Sequence, residues 1–162
     1  DLLDSYIQWG KRVSRTLKMP EEELEQTRAL LNGKKYAEAQ KVLSTALESA
    51  RQVQVTFVKA EIESHDHFLR ELEAGGVGTS VARNTLNQAH HSLSQMYFEQ
   101  AYTLSQQARE QGLKNQELYK EIVEKLHKGN ERIDIASRLG VDTRPLKERI
   151  EAFPDAIRAV SE

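Results

Sequence analysis

Cysteine is absent from the chain, which excludes disulfide frameworks, thiolate zinc sites and thiol chemistry. Proline occurs 3 times and glycine 8 times in 162 residues, so the chain is sparsely punctuated. Charge of one sign is also lacking, with 23 Lys+Arg set against 25 Asp+Glu. That balance argues against nucleic-acid binding, because counterion release needs a clear excess of Lys and Arg on one face. No apolar run approaches the roughly 20 residues of a membrane span, and the first residues lack the apolar core of a signal peptide. Aromatics make up only 6%. Ala, Leu, Glu, Gln, Lys and Arg predominate instead, which is the composition of long helices. A chain of this length buries a real core, organised as one or two small domains.

The first residue is Asp1, and the chain enters an amphipathic pattern at once. Leu2, Leu3, Tyr6, Ile7, Trp9 and Val13 recur at helical spacing, with Lys11, Arg12 and Arg15 between them. No capping residue precedes the run, so we expect a fragment of a longer helical protein. Met19-Pro20 followed by Glu21, Glu22 and Glu23 reads as a helix start, with carboxylates at the positive end of the dipole. Leu24, Thr27, Leu30 and Leu31 follow, and Asn32-Gly33-Lys34 ends the segment.

Neither Gly nor Pro occurs between Lys35 and Ala74. One helix over that stretch would be about 60 Å long. Tyr36, Ala39, Leu43, Ala46, Ala50, Val53, Phe57 and Ala60 alternate at three and four, which is a heptad seam of mostly small residues. The seam shifts after Ala60 to Ile62, Phe68, Leu69 and Leu72, as a stutter would produce. Gly75-Gly76-Val77-Gly78 forces a turn, and Thr79-Ser80 can cap a short helix over Val81, Leu86, Ala89 and Leu93. A second long segment is predicted from about Met96 to Leu139. Its stripe is Phe98, Ala101, Leu104, Ala108, Tyr119, Ile122, Leu126, Ile133 and Ala136. Gly112 and Gly129 weaken this helix by about 1 kcal/mol each and mark expected kinks. Gly140 to Thr143 closes it, Pro145 opens a last helix, and Pro154 should kink or end that helix.

The chain resembles itself. Residues 24–46 align with 86–108 without gaps, pairing Leu24 with Leu86, Leu31 with Leu93, Tyr36 with Phe98, Ala39 with Ala101, Val42 with Leu104 and Ala46 with Ala108. Residues 75–86 align likewise with 139–150, pairing Gly76 with Gly140, Val77 with Val141 and Thr79 with Thr143. The period is a little over 60 residues, and each unit is one short helix, a turn and one long helix. A long helix can pack its first half on the short helix before it and its second half on the next. The expected fold is therefore all-α: tandem antiparallel three-helix-bundle repeats joined by long continuous helices. The boundaries expected are the end of a preceding long helix at 1–18, repeats at 19–78 and 79–141, and the start of a third at 142–162.

This long-short-long order resembles the spectrin-like repeat, with a shorter unit and without that family's recurrent core Trp, since Trp9 stands alone. Gly33 to Ala39 is also similar, locally, to the turn of a tetratricopeptide hairpin. Such families are spacers, scaffolds and partner-binding platforms, and the resemblance implies a similar role by analogy.

Residues that could carry chemistry are few. His65 and His67 near the end of one long segment, and His90 and His91 on the next short one, are the candidates for a metal. Their spacing is not the i, i+4 pattern that places two ligands on one helical face, so solvated or boundary histidines are the simpler reading. Glu21 to Glu23 are dipole partners, Lys34-Lys35 and Arg12 to Arg15 solvated basic runs. The glycines at 75–78 lack the preceding strand and the Lys-Ser/Thr pair of a phosphate loop. Trp9, Tyr6, Phe57, Phe68 and Tyr119 are expected in the core, with Tyr97 and Tyr102 partly exposed. No catalytic, cofactor-binding or metal residue is assigned. The expectation is a non-enzymatic scaffold or spacer segment with protein partners or self-association, and a cytoplasmic location. The alternative is a compact binding or sensor module, formed if the long segments break near Ser64 and Gly112 and fold back.

Overall fold

A computed structural model describes residues 2–14 and 17–151. The described residues form six α-helices and no strand: α1 Leu2–Val13, α2 Glu21–Asn32, α3 Tyr36–Ala74, α4 Ser80–Ser94, α5 Phe98–Arg138 and α6 Arg144–Glu151. The all-helical class expected from composition is therefore present. Arg15 and Pro154, and most of the residues after Pro145, lie outside the described residues. Among the described residues no helix is long and apolar enough to cross a membrane.

α3 and α5 run unbroken for 39 and 41 residues, as expected for the long segments, and the breaks near Ser64 and Gly112 that the alternative reading required do not occur. Backbone contacts divide the chain into two compact units. One joins the residues up to Ile62 with His90–Tyr102, and the other joins Glu63–Ala89 with those from Thr103 onward.

In the first unit, Leu3 and Ile7 of α1 pack with Met19 and with Ala46 and Ala50 of α3. Tyr6, Leu17, Leu24, Leu43, Leu47 and Val53 close around them. Gly10 makes room for this core, because a Cβ there would lie 2.8 Å from Met19 Cγ. Lys11 and Glu21 form an ion pair at 2.7 Å that links α1 to α2 at the surface.

In the second unit, the end of α3 lies against α4 and α5. Thr85 of α4 donates to Gln111 of α5 at 3.0 Å, and Asn115 donates to the Gly78 carbonyl at 2.8 Å. Leu69, Leu72, Val77, Ala82, Leu86 and Ala108 are buried here.

The buried stripes differ from the expected ones in an informative way. On α3, Ala39, Ala46, Ala50, Gln54, Val58, Ile62, His65, Leu69 and Leu72 are buried, with Leu43 half-buried between the first two. The steps from Ala46 to Ile62 are all four residues. At 100° per residue they carry the stripe roughly 160° around the helix. The stutter thus begins at Ala50 rather than after Ala60, and Tyr36 and Ala60 of the expected seam are exposed. On α5 the register is an unbroken heptad: 98, 101, 105, 108, 112, 115, 119, 122, 126, 129, 133 and 136 are all buried or half-buried. Ser105, not Leu104, holds the third position. Gly112 and Gly129 are seam residues within a helix that continues through both.

Four helix ends close in one way. The N–H of Lys35 bonds the Leu30 carbonyl and that of Lys34 bonds Leu31. The same pair of bonds recurs from Val77 and Gly76 to Leu72 and Glu73, from Tyr97 and Met96 to Ser92 and Leu93, and from Val141 and Gly140 to Ala136 and Ser137. This is the Schellman pattern, in which a left-handed residue satisfies the last free carbonyls. The left-handed residues are Lys34, Gly76, Met96 and Gly140, with φ between 56° and 84°. The segment ends at Asn32-Gly33-Lys34 as expected, but Gly33 has φ of −80° and the left-handed residue is Lys34.

Gly112 brings two helices close. A Cβ there would lie 2.8 Å from Leu69 Cδ2, 3.0 Å from Phe68 Cε1 and 3.2 Å from Leu72 Cδ1. Leu69 is fully buried and cannot give way. Overpacking costs about 1–3 kcal/mol, against about 1 kcal/mol of helix propensity gained by alanine. Gly112→Ala should therefore lower the unfolding free energy by about 1 kcal/mol in urea titration, although it adds a better helix former to a continuous helix.

Candidate functional site

The first unit contains a recess of about 440 Å³. Ser5, Tyr6 and Trp9 come from α1, Gln54 from α3, Met96 and Tyr97 from the α4–α5 turn, and Phe98, Glu99 and Gln100 from the start of α5. The α1 residues share a face because Trp9 lies three positions after Tyr6 and four after Ser5. The turn contributes because left-handed Met96 redirects the chain, so that Tyr97 and Phe98 follow the end of α4 immediately.

The wall is aromatic. Tyr6 meets Phe98 edge-on, with centroids 6.0 Å apart at 73°. Trp9 stands edge-on to Phe57 and to Tyr102, at 6.3 and 6.0 Å, while Phe57 and Tyr102 stack at 5.8 Å. Each such pair contributes about 0.5–1.5 kcal/mol beyond its buried area. Phe98 and Trp9 are buried, whereas Met96 and Tyr97 are more than half exposed and form a lip. Glu99, the one charged lining residue, is paired with Arg12.

Gln54 is the anomaly. It is 1% exposed, in a seam position where an aliphatic residue would be ordinary. Its Nε2 donates to the Tyr6 carbonyl at 3.3 Å, and its Oε1 accepts no hydrogen bond from the protein. A buried acceptor left without a donor costs about 1–3 kcal/mol.

A second polar cluster lies in the other unit. Arg83 of α4 donates from Nε and an Nη to the two Glu73 oxygens, both at 2.8 Å. It also pairs with Asp66, which in turn holds Arg70, while Thr79 donates to Glu73. The Arg83 hydrogen bonds, aided by that of Thr79, hold the Glu73 carboxyl at about 2, against an ordinary 4.5. Burial of the carboxyl acts the other way. The bonds of Arg83 to Glu73 and Asp66 and that of Thr79 to Glu73 bridge the turn after α3, so the cluster is a tie between α3 and α4.

The sequence candidates are dispersed. His65 is buried, while His67 and His127 face Glu71 and Glu131 one turn along their own helices at 3.5 and 3.3 Å. His90 and His91 are exposed on α4. Among the described residues no three of His, Cys, Asp or Glu gather as a metal site would need. Gly76 ends α3 in a Schellman turn, which accounts for the glycine cluster. Tyr97 is exposed as expected, but Tyr102 is half-buried in the aromatic wall. Reading the sequence singled out neither Gln54 nor Met96. The available signal was a glutamine flanked by Val53 and Val55, one step off an otherwise apolar seam.

Comparison with protein-family models, with curated proteins and with solved structures finds no match to this chain.

Two outcomes are expected. Gln54→Met keeps the side-chain length and removes the orphaned oxygen, so thermal or urea unfolding should show it more stable by about 1 kcal/mol. For Glu73, the folded carboxyl lies below its unfolded value, so its contribution is complete above pH 4.5 and disappears as pH falls toward 2. With 42% of that side chain exposed, screening limits the loss to roughly 1 kcal/mol. Acid titration of stability should show this component in the parent and not in Glu73→Gln.

Proposed function

We propose that the chain is a non-catalytic scaffold and spacer segment of a helical-repeat protein, with protein partners rather than a substrate. In this reading the short and long helices form tandem three-helix repeats of the spectrin-like kind, elongated and joined through α3 and α5. The observation that carries it is the continuity of α3 and α5 over 39 and 41 residues. A helix that long exceeds what one short neighbour can cover, and its use is to hold a distance. The helix ends add support, since left-handed Lys34 and Met96 fall at paired positions of the 62-residue offset and Gly76 and Gly140 at those of the 64-residue one.

Partner binding draws on exposed apolar side chains. Leu31 and Tyr36 at the α2–α3 turn, and Met96 and Tyr97 at the α4–α5 turn, are 47–64% exposed. Tyr36 and Phe98 are paired in the repeat, yet only Phe98 is covered, by Tyr6.

A spacer requires that its strut keep its length in solution. The absence of cysteine allows spin labels to be placed through Lys41→Cys and Glu71→Cys, both exposed on α3. Thirty residues of continuous helix separate them by about 45 Å. Pulsed electron–electron resonance should give one narrow distance distribution near that value. A broad distribution, or one centred below about 30 Å, would overturn the proposal.

A further inference from the structure

The internal repeat reaches further back than the aligned segments. Leu3, Ile7 and Gly10 of α1 are buried, and so are His65, Leu69 and Leu72 of α3, 62 residues later. The ion pairs agree, since Lys11 holds Glu21 and, at the same offset, Glu73 holds Arg83 with the charges exchanged. A further 64 residues on stand Gly129, Ile133 and Ala136, all buried or half-buried near the end of α5. By position and burial, α1 and the ends of α3 and α5 are three forms of one element.

In α1 a second face of this element has a partner. Tyr6 meets the Phe98 ring, Trp9 meets Tyr102, and Ser5 lines the recess with Met96 and Tyr97, so α1 seats on the α4–α5 turn. Two halves of that same contact stand open. At the paired α2–α3 turn, Tyr36 occupies the place of Phe98 and is 64% exposed. On α5, Ile135 and Leu139 occupy the places of Trp9 and Val13 and are 58% and 78% exposed. We propose that these two faces meet between molecules: the end of α5 in one copy seats on the α2–α3 turn of a second copy. This deepens the repeat reading, on which it rests, by naming the partner.

Transferred position by position, the residues are complementary. Arg132 takes the place of Tyr6 and lies over Tyr36, where a guanidinium on an aromatic face contributes about 0.5–1 kcal/mol. Glu131 takes the place of Ser5, while Lys34 and Lys35 take those of Met96 and Tyr97, so opposite charges meet. Glu131 and Lys35 already have exposed partners on their own helices, which keeps that contribution small. Ile135 and Leu139 follow Arg132 by three and seven positions, on the same helical face. The Arg12–Glu99 ion pair has no counterpart, because Ala37 stands where Glu99 would.

Each copy carries one face of each kind, so association is head to tail and does not stop at two. One turn on one helix end is small beside the roughly 1,000 Å² of a stable interface. The dissociation constant should therefore be on the order of 0.1–1 mM. In sedimentation equilibrium the mean mass should rise from one chain at about 10 μM to at least two at about 1 mM. Tyr36→Glu closes one face and Ile135→Glu the other, and both positions are exposed, so helicity by circular dichroism should not change. Each variant alone should stay a single chain. Mixed in equal amounts, the two should pair through their intact faces and stop at two chains. A single-chain mass at every concentration, self-association retained by either variant, or no pairing in the mixture would each overturn the proposal. None of these outcomes moves the spin-label distance within α3, so the spacer reading is decided separately.

Discussion

Close approach of helices along seams of small residues is the constraint on which this structure rests. Ala39, Ala46 and Ala50 on α3, and Ala101, Ser105, Ala108 and Gly112 on α5, occupy positions where Leu or Ile would be usual in a bundle. Small seam residues let backbones near one another but bury little apolar area at each contact. Burial contributes about 25 cal/mol per Å², so a seam of alanines must be long to gain what a few leucines would give. Length is thus the counterpart of small side chains here. Larger residues take over farther along the same line of α3, at Val58, Ile62, Leu69 and Leu72, and the aromatics Tyr6, Trp9, Phe57, Phe98 and Tyr102 assemble into a wall.

The sequence disclosed the elements well and the faces less well. Four of the five connections between the helices follow from punctuation, at Pro20, Gly33, the Gly75–Gly78 cluster and Gly140, and the unpunctuated stretches were read as long helices. The α4–α5 turn has neither Gly nor Pro, and only the pattern of Leu93 and Phe98 hinted at it. The stripes were harder because apolarity marks a seam only when seam residues are apolar. On α5, Ser105 and Gly112 continue a perfect heptad, but a search for large apolar side chains passes to Leu104 and reads the glycine as a kink. On α3, Val53 and Phe57 extend the heptad in sequence while Gln54 and Val58 occupy the buried line. Two apolar stripes run side by side there, Val53 and Phe57 half-buried against α1 and Gln54 and Val58 buried beside them.

The turns teach a related lesson. A left-handed residue at a helix end costs about 1–2 kcal/mol unless it is glycine, so sequence reasoning assigns that position to the nearest glycine. At the α2–α3 turn Gly33 was nearest, yet the hydrogen bonds of the Schellman pattern fix the left-handed position at Lys34. Two carbonyl groups satisfied at the helix end outweigh the backbone strain of one lysine. The same balance holds at Met96, where no glycine competes. The pairing of these two positions in the internal alignment is therefore a pairing of geometry as well as of residues.

The recess was invisible in the sequence for a reason that bears on what it is. Every rule used to find a core treats a polar residue as solvent-facing, and Gln54 breaks that rule at the most buried part of α3. Local rules hold across most of a folded chain, and departures that carry a stability cost gather where something other than folding is served. Most polar departures here have compensation in view: Thr27 donates to the Glu23 carbonyl, Thr79 to Glu73, and Arg83 sits between two carboxylates. Gln54 is compensated only in part, by one long bond from its nitrogen. A methionine or leucine would pack the same space without an orphaned oxygen, so folding alone gives no reason for the amide.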